Sequence, residues 1–325
     1  MKFLITGITG FAGPHLANLL FEEGHEIFGL IRRTNGMETD ITDVVNDKTY
    51  QSIKFVFGDL INYRSLRMIF EKYQFDGVFH LAAQSHPPTS FIDQIGTMNT
   101  NVMGTANLIQ VIQDHQKECR LMFCSTSEVY GNIGMDGRKI KWDDTLLPAN
   151  PYGASKAASD LYLQERMENG FIDGFITRAF SHTGPRRGKI FSISSDAYQI
   201  ARMVKGLQEP ILKIGNLETT RVVMDVRDTV RAYYLAFLNK DSNKCIFNVC
   251  GDTPRKMQFF TDKLIEISGL KDIKQEIYKP FWRPHEIHYQ HGDSSNLKEM
   301  TGFKEIYNID KTLEDLLKYW IDKLS

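Results

Sequence analysis

Residues 2–24 read KFLITGITGFAGPHLANLLFEEG, and this stretch decides the fold. Phe3, Leu4 and Ile5 form an apolar run too short for a helix and bounded by glycine, which predicts a buried strand. Gly7, Gly10 and Gly13 then make a tight turn, and HLANLLFEE carries helical spacing. The order is strand, glycine turn, helix. Glycines let the backbone approach a pyrophosphate closely, while a helix N-terminus offers free N–H groups and a positive dipole end. The spacing is Gly-x-x-Gly-x-x-Gly rather than the commoner Gly-x-Gly-x-x-Gly. A chance glycine turn is the plainer account, but the flanking strand and helix favour dinucleotide binding.

The next strand, HEIFGLI, leads to the residues that select the cofactor. Enzymes for NAD place an acidic residue about 20 residues past the glycines to hold the ribose hydroxyls. Here no acidic residue occurs between Ile27 and Met37, and Arg32 and Arg33 stand at the strand end. Two guanidiniums suit a 2′-phosphate through charge-assisted bonds, which predicts NADP.

Further along, KFVFGDL, GVFHLAA, RLMFCSTS and GFITRAFS read as strands. The helical patterns YRSLRMIFEKYQ, TNVMGTANLIQVIQDH and Pro151 through Arg166 alternate with them. Such alternation predicts an α/β, Rossmann-like doubly wound parallel sheet with helices on both faces. Ligands of these sheets bind at the carboxyl ends of strands. Gly7–Gly13, Asp59, Ala82–Ser85, Ser125–Glu128 and Ala179–His182 all fall at such ends, so one crevice collects them.

The chemistry-bearing pattern is YGASK, Tyr152 to Lys156, preceded by Ser125, Thr126, Ser127 and Glu128. Spacing of four puts phenol and ammonium on one helix face, one turn apart. A phenol titrates near ~10, and a close cation is expected to lower that by roughly 1–3 units, giving a general base for a hydroxyl. Alone, Tyr-x-x-x-Lys fits any two helix residues. Glu128 adds a carboxylate that a simple dehydrogenase does not need.

Composition bounds the rest. The chain has 325 residues, net charge −1 and 24% charged residues, giving no signature of nucleic-acid or anionic-membrane binding. FLITGITGF is interrupted by glycines and reads as a strand rather than a signal peptide, and no apolar run reaches membrane-spanning length. The four cysteines show no metal pattern. Cys245 and Cys250, an odd number apart on an expected strand, would lie on opposite faces, and reduced thiols in a cytoplasmic enzyme account for them. The expected division is a dinucleotide-binding domain over 1–178 with a return segment around 223–256. A smaller mixed substrate domain takes 179–222 and 257–325. In this second half come SSDAYQIARMVKGL (a helix), ILKIG (a strand), TTRVVMDVRD with Arg221 and Arg227, the segment Trp282 to Glu286, and a last helix, KTLEDLLKYWIDKL. Each arginine is most simply a solvated surface group; together they suggest a phosphate-rich substrate.

The ordered set TGxxGxxG, GDL, HLAAQSH, NVMGT, STSEVYG, NPYGASK, RAFSHTGPRRG, TTRVVMDVRD and RPHEIHYQHGD resembles the extended short-chain dehydrogenase/reductases that act on nucleotide sugars. Within them it is most similar to the GDP-mannose 4,6-dehydratase family, over nearly the whole chain. The resemblance implies a redox-neutral reaction on a GDP-sugar with NADP. Tyr152 would take the 4-hydroxyl proton, Glu128 the C5 proton, Thr126 would hydrogen-bond O4, and Lys156 would hold the nicotinamide ribose and tune Tyr152. The expected cofactor contacts are Gly7, Gly10, Phe11, Ala12, Gly13, Arg32, Arg33, Asp59, Leu60, Leu81, Ala82, Ala83, Ser85, Tyr152, Lys156, His182 and Arg187. Expected at the substrate are Ser85, His86, Ser125, Thr126, Ser127, Glu128, Ser181, Arg221, Arg283 and Glu286. No metal is implied. The resemblance also implies a homodimer or homotetramer through the helix after NVMGT and the helix of Tyr152, whose apolar residues are Ala106, Leu108, Ile109 and Ile112, and Ala157, Leu161 and Leu163.

Two departures bear on the substrate. Ser181 stands where the family carries a pyrophosphate-binding Asn, and Val222 and Val223 replace the usual aspartate-tryptophan after Arg221. These leave open a sugar other than mannose, such as a GDP-heptose or GDP-N-acetylglucosamine. A GDP-4-keto-6-deoxymannose reductase consuming NADPH is the alternative in a different reaction class, and a catalytically inert dinucleotide-binding scaffold is a third.

Overall fold

A computed structural model gives the fold and describes residues 1–32, 40–282 and 284–324. Its centre is a seven-stranded sheet of β1 (Lys2–Thr6), β2 (Glu26–Ile31), β3 (Lys54–Phe57), β4 (Gly77–His80), β5 (Arg120–Thr126), β6 (Gly174–Ala179) and, much later in the chain, β10 (Ile246–Val249). All its neighbours pair in parallel, in the order β10-β6-β5-β4-β1-β2-β3. The chain order reverses between β4 and β1, and that switch point opens the crevice in which such sheets bind ligands. Phe3, Leu4 and Ile5 are fully buried, as expected of a strand covered on both faces.

The crossovers are α1 (Ala12–Glu22), α2 (Asp47–Ser52), α3 (Tyr63–Lys72), the short α4 (Pro87–Ile92) and α5 (Gln94–Met98), α6 (Gly104–His115) and α7 (Pro151–Glu168). The helix expected from Thr100 onward in fact begins as α5, loosens into a π-helical turn at Asn99–Met103 and resumes as α6. Asn101 lies buried in that turn. Its carbonyl accepts from Thr105 Oγ1 (2.6 Å) and Ser159 Oγ (3.0 Å). Its amide donates to Ser155 Oγ on α7 at 2.8 Å. Such bulges recur where a backbone must serve a site rather than only a ladder.

After β6 the chain leaves the sheet through β7 (Ser181–Thr183), α8 (Ser192–Val204), β8 (Ile211–Ile214) and β9 (Thr220–Asp225). It returns with α9 (Val226–Leu238) and β10 (Ile246–Val249), then continues through β11 (Pro254–Lys256), α10 (Met257–Ser268), β12 (Lys274–Ile277), β13 (Tyr289–Gln290), α11 (Ser295–Thr301) and α12 (Ile309–Lys323). β9 is the hub of the second lobe, pairing antiparallel with β11 and parallel with β13 and β7. A separate apolar core of Ile193, Ile200, Leu212, Phe260, Leu264, Leu313 and Leu316 lies among α8, α10, α12 and β8. α11 instead sends Leu297 into the first lobe's core, where Phe303 just beyond it also packs.

Two local expectations change. Cys245 and Cys250 flank β10 rather than lying on it, and both are free thiols. Leu108, Ile109, Ile112 and Leu163 are fully buried against the sheet, whereas Leu161 is 54% exposed. Those stripes therefore mostly cover the core. No helix among the described residues is long and apolar enough to cross a membrane.

Candidate active site

A cleft of about 800 Å³ runs along the carboxyl ends of β1, β4, β5 and β6 and on between the lobes. Its first end is the glycine turn. Gly7 has φ +74°, and a Cβ there would meet Ala82 N at 2.8 Å; one on Gly13 would meet Gly7 O at 2.4 Å. These two glycines are demanded by the chain's own packing. Gly10 differs, since a Cβ there meets only Gly7 O, at 3.1 Å, so its bareness leaves room toward the cleft. The N-cap of α1, Phe11, makes no side-chain cap bond and the first turn has no acidic residue. Its unsatisfied N–H groups fit an anion such as a dinucleotide pyrophosphate.

The middle of the cleft carries the reacting groups. β5 ends at Thr126, whose hydroxyl accepts from Glu128 N at 3.3 Å and so caps the turn Ser127–Tyr130. On α7, Asn150 is the N-cap: Oδ1 accepts from Gly153 N (2.8 Å), and Nδ2 donates to Glu128 Oε2 (2.7 Å). A Cβ on Gly153 would sit 2.6 Å from Glu128 O, so this glycine lets the helix press against the Glu128 backbone. The Tyr152 phenol lies beside the Thr126 side chain, which favours its ionised form. Thr126, Glu128, Tyr152 and Lys156, expected to act together, thus come together. Ser125 Oγ and Thr183 Oγ1 are buried on the cleft wall without a hydrogen-bond partner among the described residues. Orphaned hydroxyls of this kind fit a ligand rich in hydroxyl and phosphate groups.

The electrostatics correct one expectation. The Tyr152 phenol is pushed well up, not down, by burial first and by nearby Cys124; the Thr126 side chain and Arg187 only partly oppose this. The Lys156 ammonium sits 4.0 Å from the Phe123 ring centroid, and its own pKa falls to about 8 through burial. Desolvation outweighs the Coulombic help that a Tyr-x-x-x-Lys spacing suggests.

The far end faces the second lobe. β9 alternates, so Arg221 and Val223 face the cleft while Val222 packs with Tyr130 and Phe180. Arg221 donates to Glu286 Oε1 at 3.3 Å and to the Ile287 carbonyl, joining two expected substrate residues. Ser127 and Gln290 exchange hydrogen bonds at 3.1 and 3.0 Å, locking the β5 turn onto β13. The guanidinium of Arg187 stacks over Phe191 (3.6 Å) and Phe11 (4.8 Å), with no carboxylate partner among the described residues. Burial lowers it to about 10, so it remains a cation. His182 stacks on Phe11 at 5.6 Å and is held neutral, its pKa lowered to about 4 by burial and then by Arg187. Ser85, His86 and Ser181 also line the cleft, as do Leu81, Ala82, Ala83 and Ala12.

Three expected residues stay out of it. Arg32 is exposed at the end of β2; Asp59 N is tied to Ser65 Oγ at 2.9 Å; Leu60 is buried and would be met by a Cβ on Gly104. Arg33 and Arg283 lie outside the described residues. Sequence reasoning missed Asn150, Asp196 and Arg186. Asn150 was legible as an N-cap before a helix-starting proline; a lone aspartate and one arginine of a PRRG run carry no such signal.

The model of the family described as GDP-mannose 4,6 dehydratase matches residues 4–316. The chain belongs to the GDP-mannose 4,6 dehydratase family. It is 29% identical over 321 residues to the GDP-6-deoxy-D-mannose reductase of Pseudomonas aeruginosa, covering 98% of this chain and 97% of that one. It is 28% identical over 330 residues to GDP-mannose 4,6 dehydratase 1 of Arabidopsis thaliana, with 98% and 88% covered. The solved structure of RMD from Pseudomonas aeruginosa complexed with NADPH superposes with TM-score 0.82 at 25% identity, covering 99% of each chain. The chain is thus an enzyme of this family with the family's Rossmann-like fold.

Proposed function

We propose that this enzyme is an NADP-dependent GDP-hexose 4,6-dehydratase, a lyase. The observation that carries the reading is the Glu128 carboxylate, held by Asn150 beside Thr126 and Tyr152. In this reading Thr126 and Tyr152 bind the sugar's O4, and Tyr152 takes its proton as the phenolate, which the positive charge of a bound oxidised nicotinamide and of Lys156 would favour against the effect of burial. A bound oxidised nicotinamide would supply the hydride chemistry, as acceptor of the C4 hydride and as its donor to C6. Glu128 takes the C5 proton, acidified by the C4 ketone, and hands it to O6, which departs as water; the proton released from O4 goes to C5 as hydride reaches C6, so the enzyme's groups end as they began. Lys156 orients the nicotinamide ribose, Arg187 and Arg221 supply positive charge to phosphates, and Glu286 holds the nucleotide ribose. Gly7–Gly13 cradle the pyrophosphate. Arg32, exposed at the end of β2 beyond the cleft rim, would pair together with Arg33 with a 2′-phosphate, which favours NADP.

Glu128→Gln tests this directly. Against a panel of GDP-hexoses, GDP-heptose and GDP-N-acetylglucosamine, the native enzyme should give the 4-keto-6-deoxy product without net change in NADPH absorbance. The variant should lose at least ~100-fold in product formation while still exchanging the C4 hydrogen. Normal product formation by Glu128→Gln removes the proposal. The full-length similarity to the Pseudomonas aeruginosa reductase favours a second reading, a GDP-4-keto-6-deoxymannose reductase. Stoichiometric NADPH consumption with a 4-keto-sugar and no dehydration would establish it.

In this reading the lobes divide the labour, 1–178 with 223–256 for the dinucleotide and 179–222 with 257–325 for the GDP-sugar. The enzyme works as a homodimer or homotetramer in the cytoplasm. Its contact uses Ile92, Ile95, Met98, Met103 and Leu161, which are exposed on mutually packed elements around α7. A monomeric mass in light scattering at micromolar concentration would exclude that assembly.

A further inference from the structure

Arg186 adopts φ +72°, an uncommon conformation for a side chain other than glycine or asparagine. Its guanidinium points away from the reacting groups and into the back of the glycine turn. Nε donates to Gly10 O at 3.0 Å, and one terminal nitrogen donates to Thr9 O at 3.1 Å and to Asp40 O at 3.2 Å. The other terminal nitrogen pairs with Asp43. Asp43 is held in turn from α12, by Tyr319 Oη at 2.8 Å and Lys323 Nζ at 3.1 Å. One side chain therefore links the glycine turn, the segment after β2 and the C-terminal helix.

A trans peptide is planar, so its C=O and N–H point in opposite directions. Fixing Gly10 O on the guanidinium therefore aims the next N–H, that of Phe11, the other way. Phe11 is the uncapped N-cap of α1 and lines the cleft. Gly10 N is committed to Gly7 O at 3.0 Å, which orients the peptide before Gly10. Arg186 orients the peptide after it.

We propose that Arg186 is a positioning residue that aims the Phe11 N–H at the pyrophosphate of the bound dinucleotide, with Asp43, Tyr319 and Lys323 setting the guanidinium. The inference rests on the dinucleotide reading above. Because the ion pair with Asp43 neutralises its charge locally, Arg186 acts through the backbone and not as a phosphate ligand. The α12 anchor also makes the turn's geometry depend on the second lobe.

The test is equilibrium binding of NADPH by fluorescence, alongside adenosine 2′-monophosphate, which lacks the pyrophosphate, followed by NMR. Arg186→Gly suits the positive φ, so the backbone is relieved rather than strained while the guanidinium is lost. Its NADPH dissociation constant should rise at least ~10-fold, with unchanged adenosine 2′-monophosphate binding at a temperature where the variant is fully folded. Asp43→Asn should give a smaller rise of the same kind, and Tyr319→Phe the smallest. NADPH binding by Arg186→Gly equal to the native protein overturns the proposal, and so does an equal loss for both ligands. Failure of the native protein to bind NADPH at all would instead overturn the dinucleotide reading.

Discussion

Asp160 on α7 and Asp196 on α8 are both buried carboxyls on helices that flank the cleft, yet their surroundings are opposite. Asp160 faces Arg178 on β6 in a two-pronged pair, with both N–O distances 3.0 Å, and the same guanidinium donates to Tyr130 Oη at 2.9 Å. Among the described residues Asp196 has a single partner, Thr261 Oγ1 at 2.7 Å, and no cation; burial raises its pKa to about 7. The first lobe compensates its buried charge and so fixes the helix that carries Tyr152 and Lys156. The second leaves a carboxyl without a counter-charge, divided between its neutral and ionised forms near pH 7. One lobe behaves as a platform, the other as an adaptable wall.

The sharpest way to break this contrast is Asp160→Ala. It strands Arg178 without a counter-charge in the core and should cost about 3–5 kcal/mol in urea unfolding. A loss below about 1 kcal/mol would mean the pair does not hold α7.

Next is Asp196→Asn. The folded-state pKa of about 7 exceeds the ordinary 3.8, so the native state keeps a proton that the unfolded chain releases between those values. The native protein should therefore lose stability as pH rises from 4 to 7, levelling off above. Asparagine removes that slope. The variant should match the native protein near pH 4 and exceed it at pH 8, by at most about 4 kcal/mol for a shift of some three units. Parallel pH–stability curves for the two proteins would show that Asp196 is ionised throughout.

The smallest effect belongs to an exposed pair of the second lobe, Lys256 with Glu218 at 2.7 Å, whose side chains are 61% and 76% exposed. Glu218→Ala should change the unfolding free energy by less than about 1 kcal/mol, and added salt should erase the difference. A larger, salt-insensitive loss would give the second lobe electrostatic anchors of its own.

The platform was largely legible in the sequence, and the wall was not. Buried parallel strands write themselves as apolar runs, and the glycine turn, Tyr152, Lys156 and Glu128 sit at strand ends or helix starts that local pattern marks. β7 and β11 are three residues each, too short to leave a periodic trace. The π-helical turn at Asn99–Met103 follows from tertiary bonds to α7, which no local propensity announces. Tyr152 lines the cleft, but its expected acidity does not hold, because spacing reports the neighbouring cation and says nothing of the water that burial removes. Arg186 looked like a solvated member of PRRG; only the fold brings Gly10 and Asp43 to it from more than 140 residues away.

β10 supplies the outer edge of the sheet, yet it lies more than 65 residues after β6, the strand it pairs with. Between them the chain builds α8, β8 and β9 of the other lobe. A ribosome therefore exposes β6, fully buried in the finished molecule, with one side unpaired for the several seconds that translation of that interval takes at roughly 5–20 residues per second. An open strand edge invites pairing with another nascent chain. A fragment ending at 179 keeps that edge open, so the first lobe depends on chain made after the second lobe's first elements to close its sheet.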